Sequence, residues 1–383
     1  MQPKTAAHES LTTIRNHVLD LSHRIHAHPE LGFEEERACT WLSETLADAG
    51  FTVTTGIGDL PTAFMARAGH GPLHVAICAE YDCLPVIGHA CGHNMIAAMA
   101  VGAGIAAARV ADEVGLTISV IGTPAEETDG GKILLLERGA FAGIHAAMMV
   151  HPAPRDRLLP KVLAVASFDV SYTGKASHAS ASPELGINAA DALTIAQTAI
   201  GLLRQHIRPT DRIHGIITRG GDAPNVIPAH TSAEYLIRGQ TLQELEELRP
   251  KVYRCFEAGA LATGATLTIT GTGKPFADML HDLDMAALYQ RNAEALGRSF
   301  AGLTREGAAG STDMGNISLV IPSIHPMIGI DSLPAVNHQP EFAAHCLSAS
   351  ADKAVLDGAL AMAWTAIDMA TDTMLRQRLL TRP

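Results

Sequence analysis

The stretch "LHVAICAEYDCLPVIGHACGHN", residues 73–94, decides how the rest of the chain is read. It opens on an apolar run, Leu73 to Ala79, that reads as a strand. The run stops at "AEYD", and His89, Cys91 and His93 then follow at alternate positions. Three readings of that alternation are open: a buried thiol among ordinary histidines, a catalytic cysteine, or half of a metal site. Residues two apart in an extended segment face the same way, so Cys91 and His93 would point into one cavity. The flanking glycines let the backbone turn tightly around such a site.

Outward from this stretch, strands and helices alternate. Apolar positions Leu11, Ile14, Val18, Leu21 and Ile25 predict a helix over 9–28, broken at Pro29 and Gly32 and followed by another to about Ala49. Further strands are expected at 51–55, 62–67, 116–122 and 146–151. An alanine-rich helix is expected over 95–111 and a short one after Gly131. Such alternation argues for an α/β architecture with a mixed, largely parallel sheet. Ligands gather at the carboxyl ends of strands in these sheets. "AEYD", "TPAEE" and "VHP" each fall at such an end.

The pattern changes near residue 165. "AVASFDVSYTG" (164–174) reads as a strand, with a helix at about 186–206 after it. "IHGIITRGG" and "TSAEYLIRG" are two strands joined by "DAPNVIPAH"; a helix at about 242–262 and the strand "TLTITGT" complete the unit. The order β-α-β-β-α-β is that of ferredoxin-like α+β domains. A helix at 282–296 then resumes the first pattern. The expected organisation is a catalytic domain, 1–165 plus 277–383, interrupted by an inserted domain, 166–276.

Composition narrows the classes. Apolar residues are 47% and charged residues 18%, which is globular and not disordered. Lys+Arg is 28 against Asp+Glu 40, a net of −12, which argues against nucleic-acid and anionic-membrane partners. The apolar run 95–111 ends in Arg109 and Asp112, which suits a buried helix better than a membrane span. Six cysteines without a regular framework, and an N-terminus without a signal-type apolar core, point to a reducing, cytoplasmic setting.

The chemistry is spread over distant segments. "GTPAEETDGG" (122–131) offers adjacent acids, Glu126 and Glu127. A metal hydrolase needs two carboxylates with different jobs, one on the metal and one moving a proton. "MMVHPAP" supplies His151 at a strand end, and "LPAVNHQPEF" supplies His338. Cys91, His93, Glu127, His151 and His338 form an N/O/S donor set that suits zinc and also accommodates manganese or cobalt. Five protein donors exceed the usual three of one catalytic zinc and suffice for two divalent ions sharing ligands.

"HPELGFEEE", "AEYDCLP", "GHACGHN", "TPAEE", "VHP", "GKASHAS", "NVIP" and the "HQPEF" that begins at His338 occur in this order. The series, over about residues 10 to 345, resembles the dinuclear metallohydrolase family of aminoacylase, carboxypeptidase G and the auxin-conjugate hydrolases. "HACGH" resembles the auxin-conjugate and hippurate hydrolase branch. "AEYDCLP" and "GSTDMGN" are similar to aminobenzoyl-glutamate hydrolase and its dipeptidase relatives.

The resemblance implies a zinc-aminopeptidase-like catalytic domain with an inserted lid and dimerisation domain, and a homodimer formed through that domain. It implies Cys91, His93, Glu127, His151 and His338 as ligands, Glu126 as general base and then acid, and Asp82 as support behind the ligands. It implies His178 as a donor to the oxyanion, often from the partner subunit, and Asn225 and Arg238 as substrate contacts, Arg238 through a carboxylate. The expected substrate is a small amide, an N-acyl amino acid or a dipeptide-like molecule. Two departures stand out: Asn94 replaces an aspartate of the auxin-conjugate branch, and "STDM" (311–314) replaces an "EDF" type of segment. The alternatives are a hydrolase with Cys91 as nucleophile, which leaves Glu126, Glu127, His151 and His338 without roles, and a degenerate member that only binds.

Overall fold

The computed structural model describes residues 2–300 and 310–381, so part of the expected 277–383 segment lies outside the described residues. Two compact units emerge. One comprises Met1–Lys161, Met279–Ala309 and Asp313–Pro383; the other comprises Val162–Asp278 and Gly310–Thr312.

Along the first unit come β1 (Thr52–Thr55), β2 (Phe64–Ala68), β3 (Leu73–Ala79), β4 (Leu116–Gly122), β5 (Ala146–Met148) and β6 (His151–Ala153). The second unit supplies β7 (Ala164–Thr173), β8 (Arg212–Arg219), β9 (His230–Gly239) and β10 (Thr266–Phe276). The chain then returns to the first unit with β11 (Ser323–Ile324) and β12 (Met327–Gly329). The first unit's main sheet has the order β1-β2-β4-β3-β5-β11. β4, β3, β5 and β11 run parallel, while β2 and β1 add an antiparallel edge.

The strand expected over 146–151 is two strands. β6 leaves the main sheet and pairs with β12. The break has a cause on the neighbouring strand, where β11 and β12 are separated by His325 and Pro326. Pro326 has no N–H to give the ladder, although its carbonyl still accepts the His151 N–H at 3.0 Å, so the regular pairing is interrupted there.

The alanine-rich helix runs His93–Ala108 and is buried on nearly every side, as an all-round apolar helix should be. Its glycines set how closely its neighbours approach. A Cβ at Gly102 would lie 3.1 Å from Ala359, and one at Gly104 only 2.4 Å from Val120 of β4. Among the described residues no helix is long and apolar enough to cross a membrane.

In the second unit the antiparallel order β10-β7-β9-β8 matches a β-α-β-β-α-β chain. Phe168, Val170 and Tyr172 of β7 and Tyr235 and Ile237 of β9 share one core with helices Ala189–Leu203 and Leu242–Thr263. The residues between them, such as Asp169 and Glu234, are exposed, the alternation of a sheet covered on one face.

Gly104→Ala is expected to cost about 1–3 kcal/mol through overpacking against Val120. Adding Val120→Ala should return part of that loss, because the two sites share the contact. Urea midpoints of the single and double variants check this; strictly additive losses would show that the contact is not the cause.

Candidate metal centre

β3 delivers "AEYD" to the carboxyl edge of the main sheet, and Glu80 and Asp82 are both buried there. The following segment is not extended, contrary to the alternation argument for Cys91 and His93. Gly92 sits at φ +85°, and His93 is the first residue of the buried helix. The turn works because Gly92 lacks a side chain: a Cβ there would meet Pro152 Cγ at 2.4 Å. Cys91 and His93 are thus brought together by a left-handed turn into a helix start.

β4 ends at Gly122, and Ala125 then adopts φ +58° just before Glu126 and Glu127. His151 opens β6. His338, itself at φ +68°, donates its backbone N–H to Ala90 O at 2.9 Å. The Asn337 amide donates to Pro152 O at 3.1 Å and Cys91 O at 3.4 Å, which ties the late segment to both loops.

These turns gather five segments. Single donor atoms of Cys91, His93 and His151 all lie within 4.8 Å of one another, and so do those of Cys91, Glu127 and His338. Cys91 Sγ is 3.4 Å from His151 Nε2, and Glu127 Oε1 is 3.6 Å from His338 Nε2. Two ligands about 2.1–2.3 Å from a tetrahedral ion stand roughly 3.4–3.6 Å apart, so these spacings fit shared cations.

The imidazoles are oriented for the same purpose. His93 Nδ1 donates to Asp82 Oδ1 at 2.9 Å, and His151 Nδ1 donates to Pro152 O at 2.8 Å. Both Nε2 atoms therefore turn to the cluster. His93 Nε2 and Glu127 Oε1 are buried without a hydrogen-bond partner. Orphaned lone pairs in a buried N/O/S set are what a bound cation would satisfy. The cluster is a candidate dinuclear metal site.

The buried groups shift one another's protonation, so metal binding here would release protons. Burial lowers the His93 pKa, but the charges of Asp82 and Cys91 outweigh it and hold the ring well above its ordinary value. Burial, with the Glu80 and Glu127 charges, pushes Glu126 well up. Burial also raises Glu127, against the opposing His93 and His338 charges. His151 falls to about 4 through burial and the His93 charge. Burial and Glu127 push the Cys91 thiol far above its usual range. The Cys91-nucleophile reading leaves Glu127, His151 and His338, whose donor atoms converge on Cys91, without roles.

Sequence reasoning missed a buried triad behind the cluster. Lys132 Nζ donates to Glu80 Oε1 and, at 2.8 Å, to Asp313 Oδ1, while the Lys132 backbone N–H donates to Asp313 Oδ2 at 2.9 Å. Asp313 of the "STDM" segment therefore packs under the acid turn. Asn94, the other departure, donates to Ser22 Oγ at 3.0 Å. Glu35 of "HPELGFEEE" was missed too. Its carboxylate accepts from the Ala125 N–H at 2.8 Å and the Thr62 hydroxyl at 2.9 Å. Of these groups only Glu80 carried a signal, its place within the strand-end motif "AEYD".

In the second unit, His178 Nδ1 accepts from the Ser180 and Ala181 backbone N–H groups at 3.3 and 3.2 Å, so its proton sits on Nε2. Asn225 lies alongside, its carbonyl accepting from Ala179 N–H at 3.0 Å. Arg238 is half-buried and donates to Ser311 Oγ at 2.6 Å. Among the described residues no carboxylate pairs with it.

Residues 164–263 match the family model described as a peptidase dimerisation domain. The chain is 39% identical over 368 residues to the Xaa-Arg dipeptidase of Mus musculus, spanning 91% of this chain and 84% of that one. It is 33% identical over 280 residues to a p-aminobenzoyl-glutamate hydrolase chain of Escherichia coli, spanning 68% and 58%. A dinuclear metal binding peptidase from Bacillus subtilis shares the fold, with a TM-score of 0.72 and 21% identity over 94% of this chain and 99% of that one.

Asp82→Ala should release the His93 ring and weaken divalent-metal binding roughly 10–100-fold. Competition against a chromophoric chelator measures this. Unchanged affinity would remove Asp82 from any supporting role.

Proposed function

Because the chain belongs to the M20 peptidase family of dinuclear metal-dependent amidohydrolases, it hydrolyses amide C–N bonds with bound metal, and we propose that Cys91, His93, Glu127, His151 and His338 hold the two ions beside a proton-shuttling Glu126. The observation that carries this reading is the convergence of those donor atoms in two trios that share Cys91. A thiolate among imidazoles and carboxylates favours zinc, with manganese or cobalt as substitutes. Two such ions, when bound, lower the pKa of a water and polarise the substrate carbonyl.

The chain's own groups do the rest. Glu126 takes a proton from the attacking water and returns it to the leaving nitrogen. Its buried, acid-crowded setting supports that role, since it favours a carboxyl able to hold a proton. His178, with its proton on Nε2, donates to the developing oxyanion. Asn225 holds the substrate beside it. Arg238, a partly desolvated guanidinium without a carboxylate partner among the described residues, takes the substrate's free carboxylate. Dipeptides are the proposed substrates, with a C-terminal arginine as first candidate, the class named for the mouse relative. A cytoplasmic setting belongs to the same reading and is supported by six free cysteines.

A homodimer belongs to the same reading, supported by the match of residues 164–263 to a peptidase dimerisation domain and by the span of the inserted sheet. β9 starts at His230, next to the Asn225 segment, and Arg238 lies near its far end. Eight strand steps place the two ends roughly 25 Å apart. That separation supports a reading in which His178 and Arg238 reach one small substrate from two different copies of the sheet.

Chelation is expected to abolish hydrolysis of an arginine dipeptide, with zinc restoring it; full activity after stripping would reject the metal reading. Glu126→Gln should keep its metal and lose at least about 10²-fold in kcat. Mixing Glu126→Gln with His178→Ala, each inactive alone, should restore about a quarter of the wild-type sites if dimers exchange at random and His178 acts across the two-fold interface. No recovery from mixtures shown to exchange would place His178 in its own subunit's reaction.

A further inference from the structure

Glu80 has no role in the reading above, yet it is fully buried at the end of β3. Lys132 Nζ holds its Oε1, and its Oε2 has no hydrogen-bond partner. That free oxygen is 3.5 Å from His93 Nε2, which is also without a partner. The pair is too far apart for a good hydrogen bond, and His93 already spends its Nδ1 proton on Asp82. A cation entering here would displace any proton on Nε2 and leave both lone pairs directed at the ion. At roughly 3.4 Å, the spacing of two oxygen or nitrogen ligands about a tetrahedral ion, they suit a shared cation. Donor atoms of Glu80, His93 and Glu126 also lie within 4.8 Å of one another.

We propose that Glu80 is a further protein ligand to the ion held by Cys91, His93 and His151, and that this makes the two ions inequivalent. The proposal rests on the two-metal reading and deepens it. With Glu80, that ion has four protein ligands, the complement of a closed structural site; the ion at Cys91, Glu127 and His338 has three, the complement of a site that keeps one position open. Exposure runs the same way. The side chains of Glu80 and His93 are 0% and 1% exposed, against 55% for His338. Lys132 and Asp313 then act as positioning residues, because they fix one Glu80 oxygen and so aim the other.

The test strips the full chain with a chelator and titrates it with Co²⁺, reading stoichiometry, affinity and the visible cobalt spectrum. The wild type should take one ion tightly and a second more weakly. Glu80→Gln, which keeps the bond to Lys132, should weaken the tight ion by roughly tenfold or more and alter its spectrum. Glu80→Asp, which keeps the charge but withdraws the free oxygen, should do the same, and it serves if the glutamine variant does not fold. His338→Ala should weaken only the second ion. Wild-type affinities and spectra in both Glu80 variants would overturn the proposal and leave Glu80 as a counter-ion to Lys132, with the two-metal reading intact. A wild type that binds no ion would overturn both.

Discussion

One buried carboxylate sets the geometry on which the centre depends. Asp82 accepts the His93 Nδ1 proton with one oxygen and the Glu127 backbone N–H with the other, each at 2.9 Å. Burial alone would raise its pKa, but the facing His93 and these bonds bring it below its ordinary value, so it stays an acceptor. An acceptor forces its partners' protons toward itself. His93 must then present Nε2 outward, and the acid turn must lie against the end of β3. A single ionised group thereby couples a strand end, a helix start and a turn that are up to 45 residues apart.

That arrangement carries a cost that the surroundings offset. Glu80, Asp82, Glu126, Glu127 and Asp313 crowd one dry volume with the Cys91 thiol, and uncompensated buried charge is expensive. Lys132 answers part of it: burial opposes its charge, but Asp313 and Glu80 hold it protonated. Glu35 answers strain instead. Ala125 at φ +58° costs about 1–2 kcal/mol for a residue with a Cβ. The Glu35 bond to its N–H pins that conformation, and with it the direction in which Glu126 leaves the turn. Burial and the Asp82 charge raise Glu35 itself to about 7. Carboxyls in such a site ionise together most readily when cations are present, which ties assembly of the centre to metal binding.

The parts legible in the sequence were those with a local signature. The apolar runs that became β3, β4 and β5, and the inserted β-α-β-β-α-β pattern, announce themselves by period, and each run's end locates a motif. The turn at Gly92 was misread because the glycine's left-handed φ erases the alternation that an extended chain would have kept. Lys132 was invisible for a different reason. In "GKILLLE" a lysine at a helix start looks like a solvated charge, and nothing nearby says that Glu80 and Asp313, 52 and 181 residues away, enclose it. Asp313 was similarly mute, because its meaning lies wholly in its partner. Patterns repeat along the chain, whereas ion pairs are closed only by the fold.

The inserted unit extends this argument from one chain to two. β9 is a rigid ruler: His178 and Asn225 belong to one end of its sheet and Arg238 to the other, because β7 and β9 stay in register from Thr173–His230 to Ala164–Gly239. A strand neither stretches nor bends enough to bring those ends within one dipeptide. If all three side chains serve one substrate, symmetry must supply what the ruler forbids, with the partner's sheet offering its opposite end. On the proposed reading, the inserted unit would complete the substrate site as well as join the copies.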